Sequence, residues 1–251
     1  MELAGKTALI TGGSGDIGSA IAKALAARGV DVAISYIGNI EGAKRTMAAV
    51  KDMGRKGIAV QLDQRESASI HASVDTVMNE FERLDILVNN AGWNIGIPFR
   101  NLDALTEDIW DRVIETNLRG PYLVSRAFAK YLRANGTGRI VNIASVGGLA
   151  PGSSSIAYSA SKAGLIHLTR CLAVALAPDI TVNCIAPGLV EGTRIALRLP
   201  EKVAQYARDQ AVLGRVGSIE DIADQTVLFC KADTITGQVM VVDGGMPAAM
   251  H

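Results

Sequence analysis

The chain is predicted to fold as one α/β domain: a doubly wound, Rossmann-type, seven-stranded parallel sheet with helices on both faces. Three observations predict it. Short apolar runs alternate with amphipathic helical patterns along all 251 residues, which is the signature of successive strand–helix–strand crossovers. Most of those runs are apolar at consecutive positions, as strands covered on both faces are. Hydrophobic residues make up 49% of the chain and aromatics only 4%, so Val, Ile, Leu and Ala must fill the core. No linker, repeat or low-complexity stretch interrupts the pattern, and residues 1–251 read as a single domain.

The strands are expected at 7–10, 30–35, 57–63, 84–90, 139–145, 181–187 and 238–243. Ile17, Ala20, Ile21, Ala24 and Leu25 keep i, i+3, i+4 spacing, with Gly29 as the C-terminal cap of that helix. A longer helix is expected over 155–177, and Ser218 with Asp221 three residues on is a capping signal for one running to about Lys231.

Composition narrows the class. Formal net charge is zero, with Lys and Arg scattered, so there is no electrostatic case for nucleic acid or an anionic membrane. Cys171, Cys184 and Cys230 have no CxxC spacing, which favours reduced thiols, and His71, His167 and His251 form no metal-binding pattern with them. The chain shows no signal-like start and no bilayer-length apolar run, so the cytoplasm is the expected location.

Thr11-Gly12-Gly13-Ser14-Gly15-Asp16-Ile17-Gly18 follows the first strand and opens the first helix. Gly13, Gly15 and Gly18 satisfy G-x-G-x-x-G, a weak pattern alone but meaningful after a strand. A pyrophosphate can rest on the free N–H groups of such a helix start, and glycines let the backbone approach it. The acid that would hold a ribose 2′-hydroxyl belongs near Ser35-Tyr36, where there is none. Its absence removes repulsion against a 2′-phosphate and favours NADP, with NAD as the alternative. Asp31 lies too early in the strand, Glu41 reads as a first-turn helix acid, and Lys44 and Arg45 are distant aids.

Tyr158 and Lys162 stand i, i+4 on the 155–177 helix, one face and one turn apart. A free phenol has a pKa of about 10. An adjacent ammonium, with the positive charge of an oxidised nicotinamide, should lower it, so that Tyr158 can exchange a proton with a carbonyl or alcohol oxygen. Ser145 is expected to end the fifth strand, where its hydroxyl either bonds a developing oxyanion or caps a turn. Asn89-Asn90-Ala91-Gly92 ends the fourth strand, as a cofactor wall or as an ordinary turn. Asn117 falls mid-helix, where a buried amide needs partners.

Taken in order and spacing, Thr11-Gly12 with Ile17-Gly18, Asn89-Asn90-Ala91-Gly92, Asn117, Ser145, Tyr158-x-x-x-Lys162 and Pro187-Gly188 resemble the short-chain dehydrogenase/reductase family. The thirteen-residue step from Ser145 to Tyr158 is similar to that of ketoacyl-carrier-protein-reductase-like members. The resemblance spans the chain and implies a hydride-transferring oxidoreductase acting on a carbonyl or secondary alcohol. It makes Tyr158 the proton donor and Lys162 the group that binds the nicotinamide ribose and lowers the tyrosine pKa. Ser145 would hold the substrate oxygen, and Asn117 would position the water of a proton relay. Gly12, Ser14, Gly15, Asp16, Ile17 and Gly18 would cradle the dinucleotide, with Ser35 and Tyr36 at the adenosine ribose. Asp63 and Gln64 would lie by the adenine and Asn90, Ala91 and Gly92 along the ribose side. Pro187, Gly188 and Val190 would line the nicotinamide, with Thr193 near its carboxamide. The implied substrate contacts are Ser145, Gly147, Trp93 and Tyr158. The family's usual assembly implies a homo-oligomer, a tetramer or dimer.

Three departures stand out. Asp16 occupies a place that is usually glycine, an anion beside the expected pyrophosphate. Tyr36 replaces the acid of NAD-dependent members while the turn lacks the Arg of NADP-dependent ones. Gly192 stands where threonine is usual, with Thr193 after it. Residues 189–217 are the expected substrate lid, though Ile195, Ala196, Leu197 and Leu199 would also suit a core stripe. Trp93 faces the substrate or braces a loop, and Ser153-Ser154-Ser155 is better suited to capping than to substrate contact. Two other readings remain open: a dinucleotide-binding sensor without catalysis, and a sugar-nucleotide epimerase or dehydratase.

Overall fold

The computed structural model of the chain describes residues 1–134 and 136–249, so His251 lies outside the described residues. In chain order the elements begin β1 (Thr7–Ile10), α1 (Asp16–Ala26), β2 (Asp31–Tyr36), α2 (Ile40–Asp52), β3 (Gly57–Gln61), α3 (Ser67–Phe81) and β4 (Ile86–Asn89). They continue α4 (Glu107–Ile114), α5 (Gly120–Ala134), β5 (Gly138–Ile143), α6 (Ile156–Leu176) and β6 (Ile180–Pro187). The chain then forms β7 (Val190–Glu191), α7 (Arg194–Arg198), α8 (Glu201–Gln210), β8 (Gly217–Ser218), α9 (Ile219–Lys231) and β9 (Val239–Val242).

Seven strands form one parallel sheet in the order β3-β2-β1-β4-β5-β6-β9, as expected. The order reverses between β1 and β4, which opens a crevice at the carboxyl ends of the strands there. The pleat sorts the core. Ile10, Ile34, Val88 and Val141 pack with Ile21 and Leu25 of α1, Met47 and Val50 of α2 and Phe229 of α9. Their neighbours Leu9, Ala33, Leu87 and Ile140 pack with Val77 of α3, Phe128 of α5 and Leu172 and Leu176 of α6 on the other face. Each fully buried aliphatic side chain contributes about 1.5–3 kcal/mol, so both faces hold the sheet where the site needs it.

Several boundaries differ from expectation at the sheet's ends. The strand expected over 139–145 stops at Ile143, because the Ser145 hydroxyl accepts the Gly147 N–H at 3.1 Å and opens a 3₁₀ turn, Val146–Gly148. The 84–90 strand is Ile86–Asn89; just before it, Asp85 is joined to Thr7 and Arg139 through its main chain, and its carboxylate accepts from the Thr7 N–H and Arg83. Helix α1 ends at Ala26 with Ala27 as its C-cap, so the left-handed Gly29 (φ 84°) turns the chain after the cap instead of forming it. The 155–177 helix and the Ser218–Asp221 capping box form as expected. Residues 189–217 carry α7, α8 and the short parallel pair β7–β8. Among the described residues no helix is long and apolar enough to cross a membrane.

Candidate active site

The glycine-rich turn is locked to the end of β4. The Thr11 hydroxyl accepts the N–H groups of Asn90 and Ala91, each at 3.0 Å, and the Asn90 amide donates to Thr11 O at 2.9 Å. The Ser35 hydroxyl accepts the Gly12 N–H at 3.1 Å. A Cβ on Gly18 would stand 2.6 Å from Gly12 O, and one on Gly13 would stand 2.4 Å from Ile34 Cγ2. Gly15 is the N-cap of α1, and no side chain accepts from the helix's first amides. A small, tightly closed turn with free N–H groups at a helix start is what a dinucleotide's pyrophosphate requires, so these residues fit that group. A cleft of about 530 Å³ runs past it, bordered by Tyr36, Asp63, Ala91, Trp93 and Thr193, a size suited to a small ligand.

Asp16 does not face the turn's amides. Its carboxylate accepts the main-chain N–H of Arg194 at 2.8 Å and the Arg194 Nε at 3.3 Å. Other expected residues also carry tertiary partners. Ser35 is buried and its hydroxyl serves Gly12, so only Tyr36, half-buried, offers a side chain at the end of β2. Lys44 pairs with Glu41 on the surface at 2.8 Å instead of reaching the ribose, and Arg45 lines a neighbouring groove. Asp63 is clamped by Arg65, with Nε at 3.0 Å and Nη2 at 2.5 Å, and this hydrogen bonding holds its carboxyl below the usual range. The Gln64 amide nitrogen donates to Ala91 O and Thr116 O, so its side chain braces the cleft wall.

Helix α6 positions Tyr158 and Lys162. Ser155 is its N-cap, accepting the Tyr158 N–H at 3.2 Å, which sets Tyr158 in the first turn and Lys162 one turn deeper. Lys162 is buried; its Nζ donates to Ile143 O at 2.8 Å and lies 5.7 Å from the centre of the Tyr158 ring. Burial pushes the lysine down to about 8. The expected depression of the tyrosine by that ammonium is not what the protein alone produces. Burial raises the Tyr158 phenol above its ordinary value, and a hydrogen bond with Ser145 pulls it partly back. The lysine's proton is directed at Ile143 O, and the phenolate loses its hydration.

Asn117 is fully enclosed, and the backbone around it is a π turn, Glu115–Arg119, between α4 and α5 instead of continuous α-helix. Its Oδ1 accepts the Trp93 N–H at 2.8 Å, and its Nδ2 donates to Trp93 O at 2.8 Å and Ser161 Oγ at 3.2 Å. A Cβ on Gly92 would stand 3.3 Å from Asn117 Oδ1 and 3.7 Å from Lys162 Nζ. Gly92 is therefore where the cleft wall meets Lys162.

Not every expected residue lines the cleft. Gly12, Ser14, Gly15, Asp16, Ile17, Gly18, Ser35, Tyr36, Asp63, Gln64, Asn90, Ala91, Gly92 and Thr193 do, whereas Asn117, Ser145, Gly147, Tyr158, Lys162, Pro187, Gly188 and Val190 stand outside its lining. The Thr193 hydroxyl caps α7, accepting the Ala196 N–H and donating to Val190 O, while its main-chain carbonyl accepts the Leu197 N–H at 3.0 Å. Trp93 both lines the cleft and stacks under the Arg112 guanidinium at 4.1 Å. Ile195 and Leu197 are 58% and 77% exposed, so they are not a core stripe. Arg65, Arg112, Arg194 and Arg198 border the cleft and were not expected there; only Arg65, two residues from Asp63, had a sequence signal.

Comparison with known proteins places this geometry. A family model described as enoyl-(acyl carrier protein) reductase matches residues 13–247. The chain is 37% identical over 250 residues to the 3-oxoacyl-[acyl-carrier-protein] reductase FabG of Aquifex aeolicus, covering 98% of this chain and 99% of that protein. Its structure is similar to that of NAD⁺-bound xylitol dehydrogenase, with a TM-score of 0.91 at 29% identity over 98% of this chain and 100% of the other. It is also similar to the NADPH-dependent 3-quinuclidinone reductase of Rhodotorula rubra, with a TM-score of 0.89 at 28% identity over 98% and 92% of the two chains.

Proposed function

Because the chain belongs to the short-chain dehydrogenase/reductase family, we propose that it transfers a hydride between NADP(H) or NAD(H) and a carbonyl or secondary alcohol, with Tyr158 as general acid and base. The observation that carries this reading is the joint placement of Ser145, Tyr158 and Lys162, with the lysine's Nζ 5.7 Å from the tyrosine ring and against the same wall as Gly92. When bound, the nicotinamide supplies or accepts the hydride. The protein's own groups handle the oxygen. Ser145 and the Tyr158 phenol hold it, and the phenol gives or takes the proton. Lys162, pushed down to about 8, can hold or release a proton near neutral pH and so reload the phenol. Asn117 fixes Trp93 and Ser161 around that pair.

Gly147 and Trp93 complete the proposed substrate contacts. The proposed substrate is a moderately apolar ketone or secondary alcohol; the similar proteins, named for 3-oxoacyl, xylitol and quinuclidinone substrates, support the carbonyl or alcohol centre, and not its polarity. NADP is the proposed preference, because no carboxylate at the end of β2 opposes a 2′-phosphate. The proposal extends to a cytoplasmic homo-oligomer, supported by the 82% exposure of Val174 on α6. The test follows nicotinamide absorbance with NADPH and NADH against ketones, keto esters and sugars. Carbonyl-dependent oxidation with higher kcat/KM for NADPH is expected. A strong NADH preference would overturn the cofactor assignment, and dinucleotide binding without turnover of any carbonyl would favour a sensor.

A further inference from the structure

We propose that Arg194 binds the dinucleotide's pyrophosphate and that Asp16 is its positioning partner, the two forming a clasp between the glycine turn and the lid. The inference rests on the dinucleotide reading above and assigns a binding role to a lid residue outside the glycine turn. Asp16 is the first residue of α1, and an unpaired carboxylate there would repel an anion approaching the free amides. It spends its charge on α7 instead. Oδ2 accepts the Arg194 main-chain N–H at 2.8 Å and Nε at 3.3 Å, and Nε is also 3.3 Å from Oδ1. This contact uses the inner edge of the guanidinium only. Nη2 extends to 3.8 Å from where a Cβ on Gly15 would stand, over the turn itself.

Among the described residues, Nη1 and Nη2 of Arg194 make no hydrogen bond, so their N–H groups remain for a ligand. The side chain is 59% exposed and borders the same cleft as Gly12 and Gly15. Two other cleft guanidiniums are committed, Arg65 to Asp63 and Arg112 to the Trp93 face. A planar fork with two free ends suits phosphate oxygens. Its place at the turn, instead of beside Tyr36 at the end of β2, assigns it to the pyrophosphate that NAD and NADP share. Because Arg194 opens α7, holding the phosphate also holds the lid's first helix against the turn.

Dissociation constants for NAD⁺, NADP⁺ and ADP-ribose, measured by calorimetry, test the binding role. Arg194→Gln should weaken all three by a common factor of about tenfold to a hundredfold, as loss of charge-assisted hydrogen bonds does, and Arg194→Lys should recover part of it. Amide exchange tests the clasp: in ligand-free Asp16→Asn the Arg194 N–H should exchange faster, and ADP-ribose should slow it again. A change under twofold in Arg194→Gln, a loss confined to NADP⁺, or unaltered Arg194 exchange in Asp16→Asn would overturn the proposal. Wild-type protein that binds none of the three would instead overturn the parent reading.

Discussion

The candidate site combines two segments built on opposite plans, one behind the cleft wall at Gly92 and one along the cleft's rim. From the end of β5 through α6, the functional groups are enclosed and multiply bonded: Lys162 to Ile143 O, Ser155 to the Tyr158 N–H, and Ser161 to Asn117. From 189 to 217, Ile195, Leu197, Val212 and Leu213 are exposed, and much of the attachment is by surface ion pairs, Arg194 with Asp16 and Arg208 with Glu191 and Glu201. Exposed pairs contribute about 0–1 kcal/mol each, so the second segment can shift at little cost while the first cannot. Proton transfer needs fixed geometry and a desolvated environment; admitting and releasing a ligand needs a border that is cheap to move.

Four measurements sharpen or break this contrast. The largest effect is expected at the first segment: Tyr158→Phe should lower kcat by about 10²–10⁴-fold while leaving dinucleotide affinity nearly unchanged. Retained turnover would remove Tyr158 from the mechanism. Next comes the buried lysine. Its folded pKa of about 8 lies below the ordinary 10.5, so between those values the unfolded chain holds a proton that the folded chain has lost. Stability therefore rises with pH across that window and carries a constant penalty below it. In urea titrations from pH 7 to 10, wild type should gain about 2.5 kcal/mol relative to Lys162→Met; a flat difference would mean that Lys162 is hydrated.

Gly18→Ala should cost about 1–3 kcal/mol, since its Cβ would meet Gly12 O at 2.6 Å. A melting temperature equal to wild type would show the glycine turn to be looser than the enclosed segment it adjoins. Smallest is Leu197→Ser on the lid, within about 0.5 kcal/mol of wild-type stability but with an altered KM. A large loss of stability there would mean that the lid packs as tightly as α6.

The same division decides what the sequence discloses. Ser145, Tyr158 and Lys162 are legible because one helix and one strand end carry them, and spacing along those elements is a property of the local chain. The sheet is legible for the same reason, its five inner strands being buried on both faces. Asn117 shows where this stops. A π turn depends on the Trp93 backbone more than twenty residues away, and nothing in Glu115-Thr116-Asn117-Leu118 announces it. Arg194 and Arg112 reach the cleft from different elements, so their convergence is a property of the tertiary fold. Asp16, read as an anion beside a phosphate, acquires its counter-charge only when residue 194 is brought to it.

One detail of α6 reaches beyond catalysis. Its helix starts at its own serine, so the phenol's position is dictated by Ser155, by the sheet beneath it and by the turn at Gly148, where a Cβ would stand 2.6 Å from the main-chain carbon of Lys162. The exposed tip of the loop over 146–154, Pro151-Gly152, can change length or composition without moving the tyrosine relative to the lysine. A lineage could exchange one guest molecule for another by editing the loop alone, keeping an unaltered chemical engine underneath.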